Sequence, residues 1–334
     1  MKRTALSLIS LAIVISILSA AWIGLDMRRY LNHSISLVED TIYSIPPGLT
    51  LSAISRDLQK AGIITRPLYF VCAARLKRME NRIKAGEYVI PADITPLQLL
   101  GLFVEGKVKQ YSLVLIEGWT FSEVIDAVNK HPAVEKTLTD ASPETIMTAL
   151  GLPELSPEGQ FFPDTYHFPR GTTDLSFLQR AHQRLQTVLT EEWEQRAENL
   201  PYVQAYDALI MASLVEKETA LPQERDMIAG VFVRRLDKGM RLQTDPTVIY
   251  AMGQTFDGNI RRKDLDIDSP YNTYRYAGLP PTPIALPGRE AIHAALHPRE
   301  GKELYFVATG DGGHHFSVTL MEHNEAVRKY QLKK

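Results

Sequence analysis

The hydrophobic pattern opens with a block rather than a period. Thr4 to Leu25 carries no charge over 22 residues; as a helix it would reach about 33 Å, enough for a hydrocarbon core of about 30 Å. Lys2 and Arg3 precede it, Asp26, Arg28 and Arg29 follow, and Trp22 and Tyr30 stand near its far boundary. Ser19-Ala20-Ala21 offers the small residues a signal-peptide cleavage site needs. The apolar run nevertheless exceeds the usual h-region of about 7–15 residues, which favours an uncleaved, single-pass anchor over residues 1–25. Two Lys/Arg on each side leave the orientation undecided by charge. The chain has no second long apolar run, so the remainder reads as one body on one side of a membrane.

Beyond a polar tether (residues 26–39), short periodic segments predict a small α/β unit over residues 40–109. Thr41 to Ile45 alternates as a strand does, and Pro46-Pro47-Gly48 turns the chain. Leu49 to Ala61 has Leu51, Ile54 and Leu58 at helical spacing, with Gly62 where a helix ends. Pro67 starts a second helix over Leu68 to Leu76, Gly86 to Ile90 is a strand candidate, and Thr95-Pro96 opens a helix that Gly106 closes. A larger mixed unit, residues 110–334, begins with a strand over Tyr111 to Ile116, a turn at Glu117-Gly118 and a helix over Thr120 to Asn129. An aromatic, turn-prone stretch at Gly159 to Tyr166 follows, and helices dominate from Leu175 to Leu236. Strands at Leu304 to Ala308 and Phe316 to Thr319 are expected to pair across the turn Gly310-Asp311-Gly312-Gly313. The expected fold class is α+β.

Composition changes this picture little. Apolar residues make up 45% and charged residues 23%, ordinary values for a packed protein, and a net charge of −2 gives nucleic acid no basic surface to bind. Cys72 is the single cysteine, so no intrachain disulfide or Cys-based metal site can form; its apolar surroundings predict a small buried residue.

The chemistry concentrates in Tyr206 to Thr219, an apolar helical stretch whose charges gather at its C-terminal end. Glu216 and Glu218 are two positions apart, about 200° around a helix, so they cannot form a carboxylate pair on one face. Glu218 shares its face with Met211, Leu214 and Val215, whereas Glu216 lies with Leu209, Ala212 and Ser213. Burial against the bulkier face would raise the Glu218 pKa and keep a proton available, the requirement for a general acid in glycoside cleavage. A surface glutamate paired with Lys217 or Arg225 fits the same spacing. His293 and His297 stand at i, i+4 on a plausible helix, yet the string is His-Ala-Ala-Leu-His with no intervening Glu, so structural roles are expected. Gly310 to Gly313 lacks the Lys-Ser/Thr of a phosphate loop. No cofactor and no metal are expected.

Five stretches together carry a resemblance: Gly159 to Tyr166, Leu209 to Ala220, Arg241 to Gly253, Ser269 to Pro281 and Tyr305 to Phe316. They resemble the YceG-like family of endolytic murein transglycosylases, in the family's order and over nearly the whole chain. Lys84-Ala85-Gly86-Glu87-Tyr88 is similar to that family's LysM-like subdomain. The resemblance implies an enzyme anchored in the inner membrane, facing the periplasm, that cleaves the β-1,4 bond between N-acetylmuramic acid and N-acetylglucosamine without adding water. It implies Glu218 as the catalytic residue, and peptidoglycan synthases (penicillin-binding proteins) as partners where growing strands are ended. Gln243, Thr244, Asp245, Asn272, Thr273 and Tyr274 are the candidates for holding sugar hydroxyls and acetamido groups. Alternatives remain for several: Asp245 as the N-cap before Pro246, Asn272 and Tyr274 as turn or core residues, Asp164 as an Asx-turn. A hydrolytic muramidase with two carboxylates and a non-catalytic wall-binding scaffold are the rival functions.

Overall fold

The computed structural model describes residues 2–138 and 142–332, with side chains described from residue 7 onward. The chain divides into two compact units, residues 1–111 with 168–170, and residues 112–167 with 171–334.

The first unit opens with α1 (Lys2–Leu31), long and apolar enough over Ser7–Leu31 to cross a membrane, with that stretch unburied by protein. The expected tether is partly helix: α1 continues to Leu31, where the Tyr30 hydroxyl accepts from the Thr65 and Arg66 N–H groups and Asp26 pairs with Arg66. Ile35 and Leu37 then donate backbone hydrogen bonds to Ile94 and Ala92, so this segment is docked on its unit. Next come β1 (Thr41–Ile45), α2 (Leu51–Lys60), α3 (Pro67–Leu76), β2 (Gly86–Ile90) and α4 (Pro96–Glu105). Strands β1 and β2 pair antiparallel, with Tyr43 opposite Tyr88. Thr50 and Thr95 cap α2 and α4 by accepting from backbone N–H groups three residues on. Apolar faces from all these elements, including Leu58, Phe70, Tyr88, Ile90, Leu99 and Phe103, close one core. Cys72 departs from expectation. Val71, Ala73 and Ala74 turn inward, which leaves Cys72 on the exposed face of α3.

The second unit comprises β3 (Gln110–Val114, shared with the first at its start), α5 (Phe121–Lys130), β4 (Val134–Glu135), α6 (Pro143–Ala149), β5 (Thr165–Pro169, shared with the first at its end) and β6 (Thr172–Thr173). It continues through α7 (Asp174–Glu194), α8 (Ala205–Glu218), α9 (Arg225–Asp237), α10 (Asp245–Met252), α11 (Arg289–Leu296), β7 (Tyr305–Ala308), β8 (His314–Ser317) and α12 (Leu320–Tyr330). Strand β3 pairs with β5, and β4 runs parallel to β6. Helix α8 is the centre: every residue from Ala208 to Val215 is buried, and α7, α9, α10 and α11 pack around it. A helix apolar all round belongs inside a core.

The hairpin forms between β7 and β8, with Tyr305 opposite Ser317. Its second strand starts and ends earlier than expected, because Thr319 leaves the ladder to cap α12 in a capping box with Glu322. Capping won over strand alternation. Helix α12, α6 and the short strands β4 and β6 were not expected from the sequence; α6, β4 and β6 are too short to show a period, and α12 follows β8 after only two residues.

Candidate active site

Glu218 is the last residue of α8. Thr219, in extended conformation, ends the helix, and its hydroxyl accepts from the Leu221 N–H at 3.0 Å as the chain turns toward α9. Asp207 holds the opposite end by accepting from the N–H groups of Val203 and Gln204. The catalytic candidate is therefore mounted on a buried helix fixed at both ends.

The two glutamates have different surroundings. Glu216 is the more heavily partnered: its Oε1 lies 3.6 Å from Arg225, and its Oε2 accepts from the Gly288 N–H at 3.0 Å. Burial pushes its pKa up. Arg225 also pairs with Glu117 and Glu290, and Lys217 donates to the Gly118 carbonyl. Both cations proposed as ordinary partners of Glu218 are thus engaged elsewhere. Glu218 instead accepts from the Thr244 hydroxyl at 2.5 Å. Burial lifts its carboxyl to about 7, and the neighbouring Asp245 adds to the effect while the Thr244 hydrogen bond opposes it.

Glu218 opens onto a cleft of about 460 Å³ whose lining includes Arg235, Gln243, Asp245, Tyr274, His314 and His323. Three sequence-chosen binding residues are therefore at its walls. Gln243 has φ +53, an uncommon backbone for a residue with a side chain, and its N–H donates to the Thr273 carbonyl at 3.2 Å. Tyr274 donates to Asp245 at 2.6 Å. Thr244, not Asp245, is the N-cap of α10; Asp245 occupies the first helical turn, which frees its carboxylate for Tyr274 and the cleft. Asn272 and Thr273 are buried and do not line the cleft. Asn272 donates to the carbonyls of Leu265 and Ile267 and accepts from the Tyr274 N–H; Thr273 accepts from the Thr244 N–H at 3.1 Å. They set the positions of Tyr274 and Thr244. Asp164 lines a different concavity, accepts from the adjacent Thr165 N–H rather than one two residues on, and lies 3.8 Å from Arg184.

Sequence reasoning missed Arg235, Glu224 and the way His314 is held. Arg235 is buried and donates to the carbonyls of Leu304 and Leu242. Both oxygens of Glu224 serve His314, one accepting from its N–H at 2.9 Å and the other contacting Nδ1 at 2.7 Å. A Cβ on Gly313 would stand 3.1 Å from the Glu224 carboxylate, so the glycine leaves room for this approach. Nδ1 being engaged, Nε2 is the nitrogen left for a ligand. The Gly-Gly-His string was the available signal; its partner lies 90 residues away in sequence.

The profile of the YceG-like family matches residues 43–329, from the first strand to the last helix. The chain belongs to the YceG-like family. A relative from Bacillus subtilis (strain 168) named endolytic murein transglycosylase is 33% identical over 304 residues, covering 86% of this chain and 84% of the relative. Another of that name, from Streptococcus pneumoniae serotype 2 (strain D39 / NCTC 7466), is 28% identical over 320 residues, covering 86% of this chain but 57% of the relative. A crystal structure of a yceG-like protein from Listeria monocytogenes superposes with a TM-score of 0.53 at 33% identity, covering 86% of this chain and 99% of that one. The YceG-like match covers most of both units and every residue of the Glu218 cleft named above.

Proposed function

We propose that this protein is an endolytic peptidoglycan lytic transglycosylase, with Glu218 as its single acid/base. The observation that carries the reading is a carboxyl lifted to about 7 at the end of a buried helix, opening onto a polar cleft. Relatives named endolytic murein transglycosylase support the substrate class. Protonated Glu218 donates to the glycosidic oxygen between N-acetylmuramic acid and N-acetylglucosamine, and the bond from that oxygen to the anomeric carbon breaks. The muramic C6 hydroxyl then attacks the anomeric carbon and returns its proton to Glu218. The product is a 1,6-anhydro end, and no water is consumed. Gln243, Asp245, Tyr274, Arg235 and His314 hold the sugars, while Thr244, Asn272 and Thr273 hold the residues that do so.

The order strand, helix, helix, antiparallel strand over residues 41–90 supports a LysM-like subdomain in the first unit. Helix α1 supports membrane anchoring, with the following residues in the periplasm, where strands under synthesis and their synthases would be within reach. The proposed role is to end such strands.

Asp245 favours a second reading, because it places another carboxylate in the Glu218 cleft. A hydrolytic muramidase would use the two as acid and base. Digestion of purified glycan strands, with intact masses of the new ends, separates them: hydrolysis adds one water and transglycosylation adds none. Anhydro ends from wild type and none from Glu218→Gln are expected; hydrated ends that vanish with Asp245→Asn would replace the first reading with the second. Strand cutting undiminished in Glu218→Gln would remove both.

A further inference from the structure

Away from the cleft, α7 and α11 bring three metal-binding side chains together. Glu192, His293 and His297 each offer a donor atom, and these atoms lie within 4.8 Å of one another. The two imidazoles stack with centroids 4.2 Å apart, as one helical turn allows. Glu192 Oε2 is 2.8 Å from His293 Nδ1, while Oε1 accepts from Arg289 at 2.7 Å. The spacing of the histidines was readable in sequence, but their third companion is about a hundred residues earlier and only the packing of α7 on α11 supplies it.

The second observation is His297 Nε2, a buried ring nitrogen with no hydrogen-bond partner. An unpaired buried polar atom costs free energy of about 1–3 kcal/mol, and a lone pair left without a proton donor is what a metal ion takes up. We propose that Glu192, His293 and His297 form a site for a divalent transition ion of the zinc class, which clips α7 to α11. Two imidazoles and one carboxylate suit Zn²⁺, Co²⁺ or Ni²⁺ better than Mg²⁺ or Ca²⁺, which prefer all-oxygen shells. Arg289 orients Glu192 from its second oxygen, as outer partners of metal-bound carboxylates do. His293 is exposed, so the ion has a route in and water can complete the coordination. Donor atoms around a tetrahedral zinc ion stand about 3.3 Å apart, so binding would part Glu192 from His293, now 2.8 Å apart, and draw in the widest pair, now within 4.8 Å. Because α11 packs along α8, the clip would hold one wall of the helix that carries Glu218.

The test uses the full chain in detergent, free of any histidine tag and stripped with chelator, titrated with ZnCl₂ by calorimetry and with CoCl₂ by visible absorption. One equivalent should bind, low-coordinate Co²⁺ should give its visible band, and the thermal midpoint should rise with added Zn²⁺. His293→Ala and Glu192→Gln should each weaken the affinity by at least tenfold and abolish the midpoint rise. His293 is exposed, so its substitution leaves a folded chain to measure even if replacing half-buried His297 does not. Binding that is absent, or that is the same in His293→Ala as in wild type, overturns the proposal. Neither result bears on glycan cleavage, which is read separately from the masses of the strand ends.

Discussion

At the scale of single residues, the site turns on how two neighbouring glutamates are partnered. Both are desolvated by α8, but Glu216 has a guanidinium and a backbone N–H, whereas Glu218 has one hydroxyl and an open cleft. Glu218→Gln should cut turnover by about 10²–10⁴-fold, the usual contribution of a general acid, as measured by release of strand ends. The proposed first step needs the protonated form, so kcat/KM should fall as pH rises through about 7. Thr244 stabilises the carboxylate and lowers that pKa; Thr244→Val should move the descending limb to higher pH, and Thr244→Ser should leave it. A limb that does not move would mean that another group sets it. Stability has its own sign. The folded state keeps on Glu218 a proton that the unfolded chain releases above the ordinary 4.5, so stability from this group falls between about 4.5 and 7. Glu218→Gln removes that loss and should stabilise the protein above pH 7 by up to roughly 2–3 kcal/mol, read from urea midpoints of mutant and parent at pH 5 and 8.

At the scale of elements, α12 is the wall whose formation depends most on one local device. Leu320, His323, Asn324 and Val327 from this helix line the cleft, and the capping box of Thr319 and Glu322 starts it. Thr319→Ala should cost about 1 kcal/mol, appear first as faster amide exchange within α12, and raise KM more than it lowers kcat. Unchanged exchange there would show that packing against the β7–β8 hairpin, not the cap, fixes the helix. Gly159 is the corresponding point on the loop preceding β5. It has φ +74, and a Cβ would come within 2.4 Å of Pro283. Gly159→Ala combines backbone strain with a clash and should destabilise the fold by about 2 kcal/mol or more, measured by thermal or urea unfolding.

For the whole molecule, the proposed anchoring rests on the first thirty residues. Helix α1 runs unbroken from Lys2 to Leu31, and its end is bound to the first unit through Tyr30 and Asp26. A cleaved leader would not be expected to share helix and hydrogen bonds with the body it leaves. The full chain should therefore sediment with membranes, resist alkaline extraction, and keep residues 1–25 in its intact mass. A mature chain beginning near Ala21 or Trp22 would replace the anchor by a signal peptide.

Much of this protein was legible in one dimension because its deciding signals are local. The long apolar helix α1 is a matter of composition, α2 and α4 of spacing and caps, and the separation of Glu216 from Glu218 of a two-residue offset on a helix. What could not be read depended on partners far apart in sequence. The helical-wheel argument assigned Glu218 the apolar face, yet α8 is buried on every side, and it is Arg225 and Gly288 against Thr244 that distinguish the two carboxyls. Likewise Asn272 and Thr273 offered sugar-binding chemistry but spent it on backbone and neighbouring hydroxyls, and Glu192 joined two histidines about a hundred residues away. Periodicity fixes which side of an element must leave water; only the packed fold determines which polar group meets which, because desolvation and hydrogen bonding act across space irrespective of chain order.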